Sequence, residues 1–424
     1  MRAEPGQLRS AQTVPEHDLL SRYQQVRQQS HALCAPLAIE DFGVQPMDDA
    51  SPPKWHLAHT AWFFETFILK ACLPDYRVFH AQFEYLFNSY YNGVGQPYPR
   101  PRRGFLSRPT VAQIMDYRAH VDEHMFRLLS GGVDDEISEQ VILGLHHEQQ
   151  HQELMLTDIK YNFGHNPLYP TYCENSVAQT QAGSKLAFAE FAGGIVEIGA
   201  SQGFAFDNET PRHQVLLQPY ALAEQLVTNG QYLSFVEDGG YTRAELWLSD
   251  GWATLQTQNW HAPLYWQQRD GHWFEYRLDG LHPLAMQTPV THVSAHEAFA
   301  FAQWSSARLP TEFEWETAAG EYPVDGHFAD AQLFHPQPAG QEPGMQQLYG
   351  ETWQWTASAY APYPGYQPLP GALGEYNGKF MSSQLVLRGA SCATARSHAR
   401  RTYRNFFYPP DRWQFTGIRL AKDV

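Results

Sequence analysis

The chain has 424 residues and a formal charge of -16, so it exceeds one ordinary domain and is expected to fold as two, each burying its own core. Its acidic balance argues against a nucleic-acid backbone or an anionic membrane surface, which reward basic faces, and leaves small molecules as the expected partners. No apolar run approaches the roughly 20 residues of a membrane span, and residues 1–10 lack the apolar centre of a signal peptide, so a cytoplasmic address is expected. Cys34, Cys72, Cys173 and Cys392 stand singly, which suggests reduced core thiols, neither a zinc ribbon nor a disulfide scaffold.

In chain order, apolar residues recur at three- and four-residue spacing over 20–33, 55–71, 112–129 and 137–162, which predicts a helix bundle within residues 1–170. Pro52 and Pro53 are suited to open the second helix. Asp134 and Asp135 are suited to cap the last and longest one. Asn166-Pro167 and a polar stretch then predict a linker over 171–186. From 187 to 424 the texture turns rich in Gly, Pro and Trp, with strand-like runs at 194–198 and 386–389 and helical segments at 294–307 and 312–319. This half reads as one irregular α+β domain with long loops.

The most telling stretch is His147-Glu148-Gln149-Gln150-His151. On a helix the two histidines lie about 40° apart around the axis and one turn along it, which suits them to hold one metal ion. His146 lies roughly 140° from His151 and reads as a histidine bonded to a neighbour or to water. A third ligand is expected from a facing helix of the bundle. Trp55-His56-Leu57-Ala58-His59 offers His56 and His59, and the shared face with Trp55, Trp62 and Phe63 leans towards His59 without deciding. The same pattern matches zinc peptidases, with Glu148 as general base, although no suitable third ligand follows shortly downstream. A metal-binding scaffold without catalysis is a further alternative.

The second half carries an ordered series of motifs: Gly193-Gly194, Asn208-Glu209-Thr210-Pro211-Arg212-His213, Pro289-Val290-Thr291-His292, Arg308-Leu309-Pro310-Thr311-Glu312-Phe313-Glu314-Trp315-Glu316, Gly350-Glu351-Thr352-Trp353-Gln354-Trp355, Arg388-Gly389-Ala390-Ser391 and Gly417-Ile418-Arg419-Leu420. Together they resemble the formylglycine-generating-enzyme-like fold, a C-type-lectin-related α+β domain. Joined to a DinB-like helical bundle, the whole chain resembles the non-haem iron sulfoxide synthases of ergothioneine biosynthesis. The implied architecture is multidomain, α followed by α+β.

That resemblance implies iron(II) as cofactor, O2 as co-substrate, and joining of the imidazole carbon of hercynine (trimethylhistidine) to a thiol sulfur, which is oxidised to the sulfoxide. It implies His59, His147 and His151 as iron ligands and Gln150 as a contact to the hercynine imidazole. Asn405 and Phe406 fall where the family contacts the betaine, although some members carry Trp at the latter position. A trimethylammonium group donates no conventional hydrogen bond, so aromatic faces suit it. Tyr90 and Tyr91 resemble the paired active-site tyrosines of the shorter, cysteine-using branch. Without the resemblance they read as packing tyrosines before an Asn-Gly turn. Arg103 is a candidate for gripping the thiol donor's carboxylate through two parallel hydrogen bonds, and Arg404 either serves the hercynine carboxylate or braces its loop. Selenoneine synthases, which join hercynine to a selenosugar, share this architecture and remain the alternative within it.

Overall fold

The computed structural model describes residues 19–174 and 186–424. Residues 1–10 and most of the expected linker lie outside them. Four long helices, Leu19–Cys34, Pro53–Phe64, Val111–Ser130 and Asp135–Gly164, form the bundle. Pro53 occupies the first turn of the second helix, where its missing N–H is not needed. Thr110 and Gln113 close a reciprocal capping box on the third. On the fourth, the Asp134 carboxylate accepts the Ile137 N–H at 2.9 Å, and Asp135 and Glu136 complement the helix dipole.

The second helix is buried at every residue, as expected for a segment apolar nearly all round. It runs on beyond Phe64, but through a π turn, Glu65–Leu69, and not as the single α-helix the periodicity predicts. Buried Glu65 begins that widened turn, its carboxylate taken by the hydroxyls of Tyr76 and Tyr117 at 2.6 and 2.7 Å. The long Asp135–Gly164 helix packs closely against this one because Gly144 lacks a side chain. A Cβ there would stand 2.6 Å from the Phe64 ring.

The second domain is built on short strands and four helices among the described residues: Asn229–Glu237, Ser249–Gln258, Ala295–Trp304 and Glu312–Ala319. The first two escape the sequence reading because each is short and carries a glycine near its start, Gly230 or Gly251, which weakens the helical signal. A four-stranded sheet runs in the order Asn405–Phe407, Leu385–Arg388, Trp353–Ala359 and Thr416–Gly417, antiparallel except for the last pair. Cys34 and Cys392 are buried, whereas Cys72 and Cys173 are only partly so, because both sit at the rim of the core. No helix among the described residues is long and apolar enough to cross a membrane.

The two domains share one continuous core and are keyed together by the Asp135–Gly164 helix. On the face turned to the second domain, the Glu153 carboxylate accepts from the Trp353 indole, the Ser391 hydroxyl and the Thr394 hydroxyl at 2.7, 2.5 and 2.6 Å. Gln149 donates to Ser397 at 2.6 Å, and Lys160 meets His292 at 2.8 Å. Positions 146, 149, 153 and 160 recur at three-, four- and seven-residue spacing, so one stripe of the helix carries the interface.

Candidate metal centre and substrate pocket

His59, His147 and His151 each aim one ring nitrogen at a common point, with these atoms all within 4.8 Å of one another. The Nε2 atoms of His59 and His147 are 3.2 Å apart. Two neighbouring ligands at about 2.1 Å from one ion and 90–109° apart would be separated by about 3.0–3.4 Å. Burial depresses the pKa of all three imidazoles, that of His147 to about 3, so at neutral pH they are uncharged and their lone pairs are free to coordinate. With its Nδ1 engaged by the Phe87 carbonyl, His59 turns an Nε2 lone pair towards the converging nitrogens of His147 and His151, a buried donor set that fits a metal ion.

The orientations of two of the rings are set by outer partners. His59 Nδ1 donates to the Phe87 carbonyl at 2.6 Å, leaving Nε2 as the ligand atom. The ring lies between Trp55 and Trp62, stacked at centroid distances of 4.6 and 5.4 Å. His151 Nδ1 meets His56 Nδ1 at 2.9 Å. His56 is therefore an outer partner and not an alternative to His59.

Glu148 faces the opposite way. Fully buried, it accepts from Arg27 and Arg118 at 2.9 Å each and from the Ser30 hydroxyl at 2.6 Å. A carboxylate whose two oxygens are so engaged cannot activate a metal-bound water, which removes the basis of the peptidase reading. His146 bonds to His398 at 2.8 Å and stacks on Phe204, as its neighbour-bonded reading anticipates.

Gln150 reaches across the domain boundary, its amide nitrogen donating to the Tyr403 hydroxyl and its oxygen accepting from Tyr376. The Tyr403 proton is then directed to His398 Nε2 at 3.0 Å. Tyr376, whose ring lies 5.6 Å from that of His147, escapes the sequence reading because it sits in a loop with no periodic signal.

Tyr90 and Tyr91 stack at 4.7 Å, held by an Asn88 side chain that bonds both the N–H and the carbonyl of Tyr91 at 2.9 Å. Tyr91 is wholly buried, its hydroxyl without a partner in hydrogen-bonding geometry, and burial raises its pKa well above the usual phenol range. Its ring packs against Trp62, which links it to His59. The second domain closes over this pair. Glu375 accepts from the Asn92 and Gly93 amides at 3.0 and 2.6 Å, and Lys379 binds the Tyr90 carbonyl. Phe380 meets Tyr90 edge-on at 5.0 Å, its ring 5.9 Å from that of Phe406, and Tyr360 stacks on Phe406 at 4.1 Å. Asn405 opens the same strand and accepts from the Phe406 N–H at 3.0 Å.

The two arginines part company. Arg103 is buried with its guanidinium 3.3 Å over the Trp55 ring, donating only to the hydroxyls of Ser51 and Ser89 at 2.8 and 3.1 Å, with Nε unpartnered. Burial, and then the like charge of Arg100, push its pKa down. A guanidinium remains protonated, and no carboxylate pairs with this one among the described residues. Arg404 follows the second of its two sequence readings, the loop brace: all three of its nitrogens are engaged, with Glu312 at 2.8 and 2.9 Å and with the carbonyls of Asn208 and Ala361. It braces its loop and has no fork left for a substrate carboxylate.

Residues 175–424 match the sulfatase-modifying factor enzyme 1-like domain, and residues 22–155 match the DinB superfamily. Over 398 residues the chain is 30% identical to the hercynine oxygenase of Mycobacterium tuberculosis, covering 88% of this chain and 91% of that one. The chain belongs to the hercynine oxygenase family. A second member, from Mycolicibacterium thermoresistibile, is 30% identical with 88% of each chain covered. The formylglycine-generating enzyme of Streptomyces coelicolor is 29% identical, aligned with 58% of this chain and 90% of its own length. Similarity to the hercynine oxygenases thus runs through both domains.

Proposed function

We propose that the protein is an iron(II)- and O2-dependent enzyme of ergothioneine biosynthesis that joins hercynine to a thiol, most simply cysteine, and delivers the sulfoxide. The observation that carries the reading is the convergence of three neutral imidazoles, with the Tyr376 ring 5.6 Å from that of His147. Membership of the hercynine oxygenase family supplies the substrate. Iron bound by His59, His147 and His151 would supply the activation of O2, with positions left open by a three-imidazole set. In balance, one imidazole C–H and one thiol S–H are lost, a C–S and an S–O bond form, and O2 supplies the sulfoxide oxygen and a molecule of water.

The chain's own residues then divide the work. Gln150 orients the hercynine ring, and Asn405 and Phe406 offer an amide and an aromatic face to its trimethylammonium. Arg103 takes the carboxylate of the thiol donor, whose sulfur is thereby directed towards the metal site. A tyrosine of the Tyr90–Tyr91 pair donates a proton from a hydroxyl that burial keeps protonated.

The direct test is anaerobic iron loading followed by hercynine, O2 and, in competition, cysteine, γ-glutamylcysteine and a selenosugar, with products read by mass spectrometry. A hercynyl-cysteine sulfoxide is expected. Preference for the selenosugar would move the protein to the selenoneine alternative, and no O2 uptake with any donor would sink the enzymatic reading.

Two variants separate the roles. Arg103→Leu should raise KM for the donor about 10- to 100-fold, the loss of about 1.5–3 kcal/mol from charge-assisted hydrogen bonds, with a smaller change in KM for hercynine. An equal loss for both substrates would assign Arg103 to packing alone. Tyr90→Phe and Tyr91→Phe should retain iron while slowing carbon–sulfur bond formation or diverting the thiol to simple oxygenation. Unchanged product ratios in both would exclude the pair from the chemistry.

A further inference from the structure

His56 and Asp158 lie outside the proposed ligand set, yet the chain buries both beside it. His56 Nε2 stands 3.0 Å from Asp158 Oδ2, and its Nδ1 stands 2.9 Å from His151 Nδ1. The same Asp158 oxygen accepts the Ser51 N–H at 2.8 Å, and the Ser51 hydroxyl accepts from Arg103 at 2.8 Å. Hydrogen-bond accounting gives this string one direction. A carboxylate only accepts, so the His56 proton sits on Nε2 and its Nδ1 carries a lone pair. That lone pair takes the Nδ1–H of His151, and the proton-free nitrogen of His151 becomes Nε2.

We infer that Asp158, acting through His56, is the positioning residue that holds His151 in the tautomer and orientation needed to bind a metal ion. The inference rests on the proposed metal site and adds a partner two side chains removed from it. It differs from the usual outer partner of a metal-bound histidine, a carboxylate or carbonyl in direct contact, by interposing a second imidazole. The interposition has a geometric cause. His151 and Asp158 lie seven residues apart on one helix, about two turns or 10 Å along its axis, too far for direct contact. The facing helix supplies the bridge from His56, three residues before His59. One pair of helices therefore provides both the proposed ligands and the device that orients one of them, while the Ser51–Arg103 link ties the same carboxylate to the place proposed for the donor's carboxylate.

The test is the affinity and visible absorption of cobalt(II) in the metal-stripped, full-length protein, which need no turnover. Asp158→Ala and His56→Phe should weaken cobalt binding about 10- to 100-fold and alter the ligand-field bands. Asp158→Asn, which keeps an acceptor oxygen for the His56 N–H, should recover part of the loss. Thermal unfolding of the metal-free forms serves as control, because a defect of folding alone would lower stability without this graded effect on affinity. Cobalt affinity and spectra in Asp158→Ala and His56→Phe equal to those of the parent would overturn the inference while leaving the metal site intact. Failure of the parent to bind cobalt would instead overturn the metal site itself.

Discussion

Replacing His59, His147 or His151 singly with alanine is expected to abolish stoichiometric iron binding and, with it, hercynine-dependent O2 uptake. Each supplies one of only three converging nitrogens, and no other group of three or more His, Cys, Asp or Glu side chains among the described residues converges closely enough to substitute. His146→Ala is the matched control. It lies on the same helix, next to a proposed ligand, but bonds to His398 on the interface stripe, so iron content should stay near that of the parent. Metal content after anaerobic loading, measured with O2 uptake, checks both expectations. Full occupancy and turnover in all three alanine variants would refute the ligand set. Because three imidazoles accept zinc as readily as iron, loading must be done with each metal separately.

The parts of this architecture that repeat were legible in the sequence. Apolar spacing located the four bundle helices, and Asp134 and Pro53 marked two of their starts because caps act locally. The 100° step of a helix placed His147 and His151 on one face and leaned towards His59. What the sequence concealed lies in loops or depends on distant partners. Tyr376 reaches the His147 ring from a segment without period, and Arg404 is claimed by Glu312, 92 residues away. Asp158 was within reach, since a residue seven beyond His151 returns to nearly the same face. Only the position of His56 on the facing helix shows what that carboxylate does.

Glu148 gives the sharpest contrast between motif and fold. As a peptidase base its replacement by glutamine would silence chemistry and leave stability alone, whereas its place between Arg27 and Arg118 predicts the reverse. Burial by itself would raise the carboxyl pKa, but the two guanidinium charges and the Ser30 and Arg27 hydrogen bonds overcome it and hold the group at about 2. Against the ordinary 4.5, that corresponds to about 3 kcal/mol favouring the folded, ionised state. A depressed carboxylate contributes this stability fully above pH 4.5 and loses it as the pH falls towards 2. Glu148→Gln should therefore destabilise the metal-free protein by about 3 kcal/mol at pH 7, in line with breaking a buried ion pair, and the gap to the parent should narrow steadily below pH 4.5. Urea unfolding of both proteins with metal stripped, at a series of pH values, measures that gap. A gap that stays constant down to pH 3 would show that the charge on Glu148 is not what holds this side of the helix in place.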